Sequence, residues 1–212
     1  MYISNPKRIQ KVLFYLVSHP WQIPYYWMYS VRSSSPLEVA LPWWSLPAIN
    51  FVDRKISRTS HVFEYGSGGS TLFLAQRFAR LKSIEQDPEW TLKVSQQLDD
   101  HKLTNVEILQ SEINLSSKDE YECSEYLLRL NKNYDLIVVD GEDHFGPSST
   151  WSARTSCFKR AERFINKGGV ILVDDSWRYP EIRKISKAKN FKIMEGIGPC
   201  RKGVTTTDLH FY

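Results

Sequence analysis

Cysteine is scarce, and its spacing is uninformative for pairing: Cys123, Cys157 and Cys200 are the three present, odd in number and without a Cys-x-x-Cys pair. That pattern argues against a disulfide framework or a zinc knuckle and points to free thiols in a reducing, cytoplasmic setting. Long apolar runs are missing too. The stretch Val12-Leu13-Phe14-Tyr15-Leu16-Val17 stops at Ser18-His19-Pro20. It falls short of the about 20 apolar residues that a bilayer span needs and lacks the small-residue cleavage site of a secretory signal. Acid is absent from the first 37 residues, where Lys7, Arg8, Lys11 and Arg32 precede Glu38; the other basic residues balance the acidic ones, and the net charge is +4. A basic extension of this size fits either a solvated face or contact with an anionic surface.

With 212 residues, 42% hydrophobic and 25% charged, the chain can bury one substantial core, so a single globular domain over residues 51–212 with an extension over 1–50 is expected. The extension holds ten of the 28 aromatic residues, among them Trp21, Trp27, Trp43 and Trp44, and six of the ten prolines. Proline interrupts helices, so the expected pattern is a short helix over 6–18, irregular turns to about 36, and a helix near 47–56. Such a segment either packs on the core or serves as an acceptor lid and peripheral membrane contact.

From His61 onward, strand and helix patterns alternate, which implies an α/β domain: a mostly parallel, seven-stranded sheet covered by helices on both faces. Strands are expected at 61–65, 81–85, 106–110, 135–140, 170–173, 191–194 and 206–212. Helices are expected over 71–80, after Asp87-Pro88, over 121–130, around Cys157, Ala161 and Phe164, and over 180–189. Lys167-Gly168-Gly169 reads as a glycine cap on the helix before the fifth strand.

The first strand runs into Glu64-Tyr65-Gly66-Ser67-Gly68-Gly69-Ser70-Thr71. A glycine turn between strand and helix lets a ligand approach the backbone closely and aims free N–H groups at it. A dinucleotide G-x-G-x-x-G starting at Gly66 would need glycine where Thr71 stands, and the Gly-Lys-Ser/Thr of a P-loop is absent. Glu85 follows Gly66 by 19 residues, at the end of the second strand, where a carboxylate can accept both ribose hydroxyls.

With these two signals in hand, His61 to Asp175 resembles a class I S-adenosylmethionine-dependent methyltransferase. The resemblance implies a Rossmann-like, doubly wound, seven-stranded sheet with its last strand antiparallel, and S-adenosylmethionine as cofactor. It assigns the glycine motif to Glu64, Gly66, Ser67, Gly68, Ser70 and Thr71, the ribose acid to Glu85 with Gln86 beside it, the adenine loop to Ser111 and Glu112, and the acid after the fourth strand to Asp140.

Acceptor chemistry is expected after the fourth and fifth strands, at Asp140-Gly141-Glu142-Asp143-His144 and Asp174-Asp175-Ser176-Trp177. Carboxylates at Asp140, Asp174 and Asp175 cannot converge uncompensated. Mg²⁺ or another divalent cation would relieve the repulsion and lower the pKa of a bound hydroxyl. The pattern is similar to that of metal-dependent O-methyltransferases acting on small molecules and sugar hydroxyls, which implies Asp140, Asp174 and Asp175 as metal ligands and Glu142 as base. A metal-free route stays open, with His144 or Glu142 as base. Trp177-Arg178-Tyr179 and Gly198-Pro199-Cys200-Arg201-Lys202-Gly203 either frame the acceptor pocket or form ordinary surface loops. The leading expectation is O-methylation of a small-molecule or sugar acceptor. A nucleic-acid substrate is not expected, since Asp140-Gly141-Glu142-Asp143 is not the Asn/Asp-Pro-Pro-aromatic loop of amino-group methylation. A non-catalytic cofactor-binding module is the other alternative, and a homodimer is compatible with the sequence.

Overall fold

A computed structural model describes residues 6–32, 35–143 and 150–212. Seven strands form one sheet: β1 His61–Tyr65, β2 Arg80–Glu85, β3 Val106–Gln110, β4 Tyr134–Val139, β5 Ile165–Val173, β6 Asn190–Gly196 and β7 Thr205–Phe211. Their order is β3-β2-β1-β4-β5-β7-β6, with β7 antiparallel to both of its neighbours and the other pairings parallel. The order reverses between β1 and β4, and open α/β sheets bind ligands beside the carboxyl ends of the strands at such a reversal.

Alternation along the central strands explains why both faces are covered. Leu136 and Val138 of β4 enter one core with Val62, Leu172 and Leu209, while Ile137 and Val139 enter the other with Phe63, Tyr65, Ile171 and Val173. The first core is closed by helices α2 Leu46–Lys55, α3 Gly69–Ala75 and α4 Pro88–Asp100, through residues such as Ile49, Val52, Leu72, Val94 and Leu98. The second is closed by α5 Lys118–Glu122, α6 Glu125–Leu128, α7 Ala153–Ala161 and α8 Pro180–Ile185, through Tyr121, Tyr126, Phe158 and Ile182. The helix that crosses residue 50 is therefore part of the domain core.

Local sequence sets the helix starts. Asp87 caps α4 by accepting the Trp90 N–H at 3.0 Å, with Pro88 in the first turn. The helix expected over 121–130 is two short ones, because Ser124 takes an extended conformation and caps a new start by accepting the Leu127 N–H. The helices expected over 71–80 and 180–189 end sooner, at Ala75 and Ile185.

The expected glycine cap at Lys167-Gly168-Gly169 is corrected: α7 ends before Glu162 and these glycines lie within β5. Gly168, at φ +83°, donates its N–H to the Tyr212 carbonyl at 3.0 Å, and Tyr212 N–H returns to Gly169 at 3.1 Å. They bend the strand where its register against β4 shifts.

Ahead of the sheet, helix α1 (Pro6–Ser18) is followed by short helical turns, Pro20–Gln22, Ile23–Tyr25 and Tyr26–Val31, where irregular chain was expected. Ser30 Oγ donates to the Gly198 carbonyl, and Cys200 N–H to the Tyr29 carbonyl. The extension thus packs on β6 and the loop behind it.

Candidate active site

β1 leads into α3 through Gly66, whose φ is +86°. Its N–H donates to the Ile84 carbonyl of β2 at 2.8 Å. A Cβ on Gly66 would lie 2.7 Å from Gly141 Cα and 2.8 Å from the Asp140 carbonyl, so both the backbone angle and the contact with the end of β4 require glycine. Gly68 N–H donates to Thr71 Oγ1 at 2.9 Å. Gly69 lies against the carbonyls of Pro36 and Leu41, so the extension crosses directly over the turn, next to the buried Ser70.

Glu64 is fully buried. Its Oε2 accepts from Thr71 Oγ1 at 2.7 Å and Ser83 Oγ at 2.8 Å, while Oε1 has no partner. Burial raises its carboxyl to about 7, against the hydroxyls of Ser70, Thr71 and Ser83. A buried acceptor without a donor is costly, and here it lies beside the glycine turn.

Glu85 closes the same unit from β2. Its Oε2 accepts from the Ser67 N–H at 2.7 Å and Ser67 Oγ at 2.9 Å; its Oε1 accepts from the N–H groups of Gln86 and Asp87 at 3.0 and 3.2 Å. Acid and glycine turn, far apart in sequence, are directly bonded, and Trp90 Nε1 pins the turn by donating to the Ser67 carbonyl at 2.8 Å. Ser111 N–H donates to the Glu85 carbonyl at 2.9 Å, which brings the expected adenine loop to this acid, and Glu112 beside it is exposed.

On the other side of the reversal, Asp140 receives Trp44 Nε1 on Oδ2 at 3.2 Å and the Arg154 guanidinium on Oδ1 at 3.1 Å. Burial, with Asp174 adding to it, raises the Asp140 carboxyl to about 8 despite Arg154 and Arg201. Arg154 itself spans both strand ends, donating to the carbonyls of Gly141 and Asp174 at 2.8 Å each and of Asp140 at 3.2 Å. Glu142 is exposed and accepts from Gln86 Nε2 at 3.1 Å. Asp143 lies at the start of α7, accepting from Ser152 Oγ at 2.6 Å and the Ala153 N–H at 2.7 Å, while Ser152 itself caps the helix. His144 lies outside the described residues.

Asp174 and Asp175 are brought together as expected, and the charge between them is supplied by the chain. Arg201 donates to Asp174 Oδ2 at 2.8 Å and Asp175 Oδ1 at 2.7 Å. Thr207 and Thr205 hydroxyls fill further positions at 2.7 Å each. Burial and Asp175 raise the Asp174 carboxyl despite Arg201, whereas at Asp175 Arg201 and Thr205 outweigh burial and lower it. Asp175 also adopts φ +49°, a left-handed conformation that Asp tolerates better than most residues.

These donors do not fit an octahedral divalent cation: guanidinium, indole and hydroxyl groups occupy the oxygens it would take. Among the described residues, no group of three or more His, Cys, Asp or Glu gathers as metal ligands. Arg154, Arg201 and Trp44 complete this cluster, and the sequence alone does not assign them these contacts. Arg201 carried a faint signal as part of Gly198-Pro199-Cys200-Arg201-Lys202-Gly203, and Trp44 as part of the aromatic-rich extension, whereas Arg154 carried none.

Neither a protein-family model nor a curated protein sequence matches the chain. Solved structures do match. A protein provisionally assigned as an O-methyltransferase from Klebsiella pneumoniae aligns with a TM-score of 0.61 and 14% identity, over 97% of this chain and 98% of that one. SMU.1697c of Streptococcus mutans, provisionally a methyltransferase and solved in complex with S-adenosylhomocysteine, aligns at 0.55 and 11% identity, over 85% and 99%. A protein provisionally assigned as an rRNA methylase from Clostridium thermocellum aligns at 0.54 and 14%, over 78% and 95%. At such identities the likeness is one of architecture, and with the strand order above it shows that the chain has the class I methyltransferase fold.

Proposed function

We propose that this chain is an S-adenosylmethionine-dependent methyltransferase acting on the hydroxyl of a small molecule or sugar. The observation that carries the reading is the union of Glu85 with the Gly66–Ser67 turn at the place where strand order reverses. The Streptococcus mutans neighbour, crystallised with the demethylated product, supports the same cofactor. Glu64, with its unpartnered buried oxygen, is suited to receive the cationic amino group of the donor, and Ser111 with Glu112 would border its base.

Bound there, the donor supplies an electrophilic methyl on a sulfonium. The chain's task is to hold the acceptor in line and take up its proton. Asp140 is placed for the second part: its carboxyl, at about 8, is matched to proton uptake near neutrality. Trp44 and Arg154 fix its position. Glu142 and His144, on the loop that follows, are the other candidate bases. We place the acceptor under residues 1–50, whose segment 36–44 crosses the glycine turn and reaches Asp140. Arg201 stands where the carboxylate cluster called for a cation, and the reaction is therefore assigned no metal-dependent step.

The test is transfer of a labelled methyl group, in excess chelator, to a panel of phenols, sugars and bulk RNA. Label in a base-stable ether on a small acceptor is the expected result. Label confined to RNA would favour the second reading, a nucleic-acid methyltransferase, which the likeness to an rRNA methylase supports. Turnover that disappears in chelator and returns with Mg²⁺ would overturn the metal-free assignment.

A further inference from the structure

The methyl-transfer site leaves unused the outer face of the N-terminal helices. Nine of the sixteen large apolar side chains exposed among the described residues lie between Ile9 and Val31, so the exposure is concentrated in one segment. Within α1, Ile9, Leu13 and Val17 recur at four-residue spacing, with Phe14 beside them; Phe14 and Val17 are 77% and 79% exposed, and Trp21 and Trp27 of the following turns 70% and 61%. The inner face is anchored: Val12 is buried, Lys11 pairs with Glu195 of β6 at 2.9 Å, and Tyr29 holds Cys200. This apolar stripe therefore cannot turn inward without breaking those contacts. Clustered exposure of this kind on a soluble fold marks an interaction surface.

We propose that this face docks on the surface of an anionic lipid bilayer. Charge selects the occupant. The segment carries Arg8 and Arg32 and no acid before Glu38, and Arg8 lies against Gly203 next to the exposed Lys202. Cations bordering an apolar, Trp-containing helical face suit an interfacial helix, whose rings settle at the headgroups while its cations meet lipid phosphates. A second copy of the chain would set the same cations against each other. Nucleic acid would leave Ile9, Leu13, Val17, Ile23 and Val31 without apolar partners. Among the described residues no helix is long and apolar enough to cross a membrane, so the segment lies on the bilayer. Through Tyr29 and Cys200, docking brings the bilayer beside the loop that carries Arg201.

The inference is independent of the methyl-transfer reading and is tested on the full chain without donor or acceptor. Flotation with phosphatidylcholine vesicles, with and without phosphatidylglycerol, should show about tenfold more protein on the anionic vesicles. Brominated acyl chains should quench tryptophan emission, and Trp21→Phe with Trp27→Phe should remove that quenching. The combination Leu13→Ser, Phe14→Ser and Val17→Ser should reduce flotation roughly tenfold or more, with far-UV circular dichroism unchanged. No flotation on either vesicle overturns the proposal, as does flotation that survives the triple substitution. Retention on RNA without vesicle binding, or a concentration-dependent dimer dissolved by the same substitutions, overturns it in favour of the other occupants. Should the triple variant not fold, the wild-type quenching decides, and its absence refutes docking.

Discussion

Glu64 is a carboxylate kept from solvent before any ligand arrives. Its carboxyl is raised from 4.5 to about 7 by burial, so between those values the folded chain holds a proton that the unfolded chain has lost. Folding stability from this group is therefore complete below about 4.5 and declines as pH rises to about 7. Glu64→Gln removes that dependence: in thermal melts the variant should gain on the wild type from pH 4 to pH 8, while binding the donor more weakly for lack of a charge to meet its amino group. An unchanged difference across pH would contradict the assignment.

Arg201 poses the converse case, a cation between two buried acids. Removing one partner of such a cluster costs about 3 kcal/mol or more, so Arg201→Ala should lower Tm by several degrees. Added Mg²⁺ should then restore part of the loss in the variant and leave the wild type unmoved; Mg²⁺ stabilising the wild type equally would contradict the account. The strand-end positions of Glu85, Gly66 and the Asp174-Asp175 pair were legible in sequence because each carries a local pattern, although Arg201 stands between those two acids where a metal was expected. Arg154, Arg201 and Trp44 were not, because their partners lie 14, 27 and 96 residues away, and no local periodicity records such pairings.

On the proposed reading, donor binding depends on the β1 to α3 turn. Gly66→Ala would force a side chain into Gly141 and Asp140 at a backbone angle that alanine resists. The expected outcome is a lower Tm together with loss of S-adenosylhomocysteine binding by calorimetry; wild-type binding in that variant would mean that the turn does not shape the site. Strands were readable as elements because β4 is buried on both faces and β1 runs from solvent into the core. Helix ends were less so: Ser124 restarts a helix that apolar spacing would carry through, and Gly168-Gly169 resembles a cap while forming a bend within β5. In both places one backbone conformation outweighed a pattern shared with the alternative.

At the scale of the whole molecule, β1 and β2 bring Glu64, Glu85 and the glycine turn together on one side of the strand-order reversal, and β4, β5 and β7 bring Asp140, Asp174 and Asp175 together on the other; under the proposed function these are the donor and acceptor sides of this end of the sheet. The extension caps it through Trp44, Pro36 and Leu41, an arrangement that aromatic content announced only as a choice between packing and lid. Seven strands were expected from alternating strand and helix patterns and their order from the family resemblance, whereas the acceptor is not written in either. The central claim is that Glu85 and the glycine turn grip one nucleoside, and isothermal titration with S-adenosylhomocysteine addresses it most directly. The wild type should bind, and Glu85→Ala should lose about tenfold or more in affinity, as expected for hydrogen bonds to a charged group. No heat with either donor or product in the wild type, or equal binding by the variant, would contradict it.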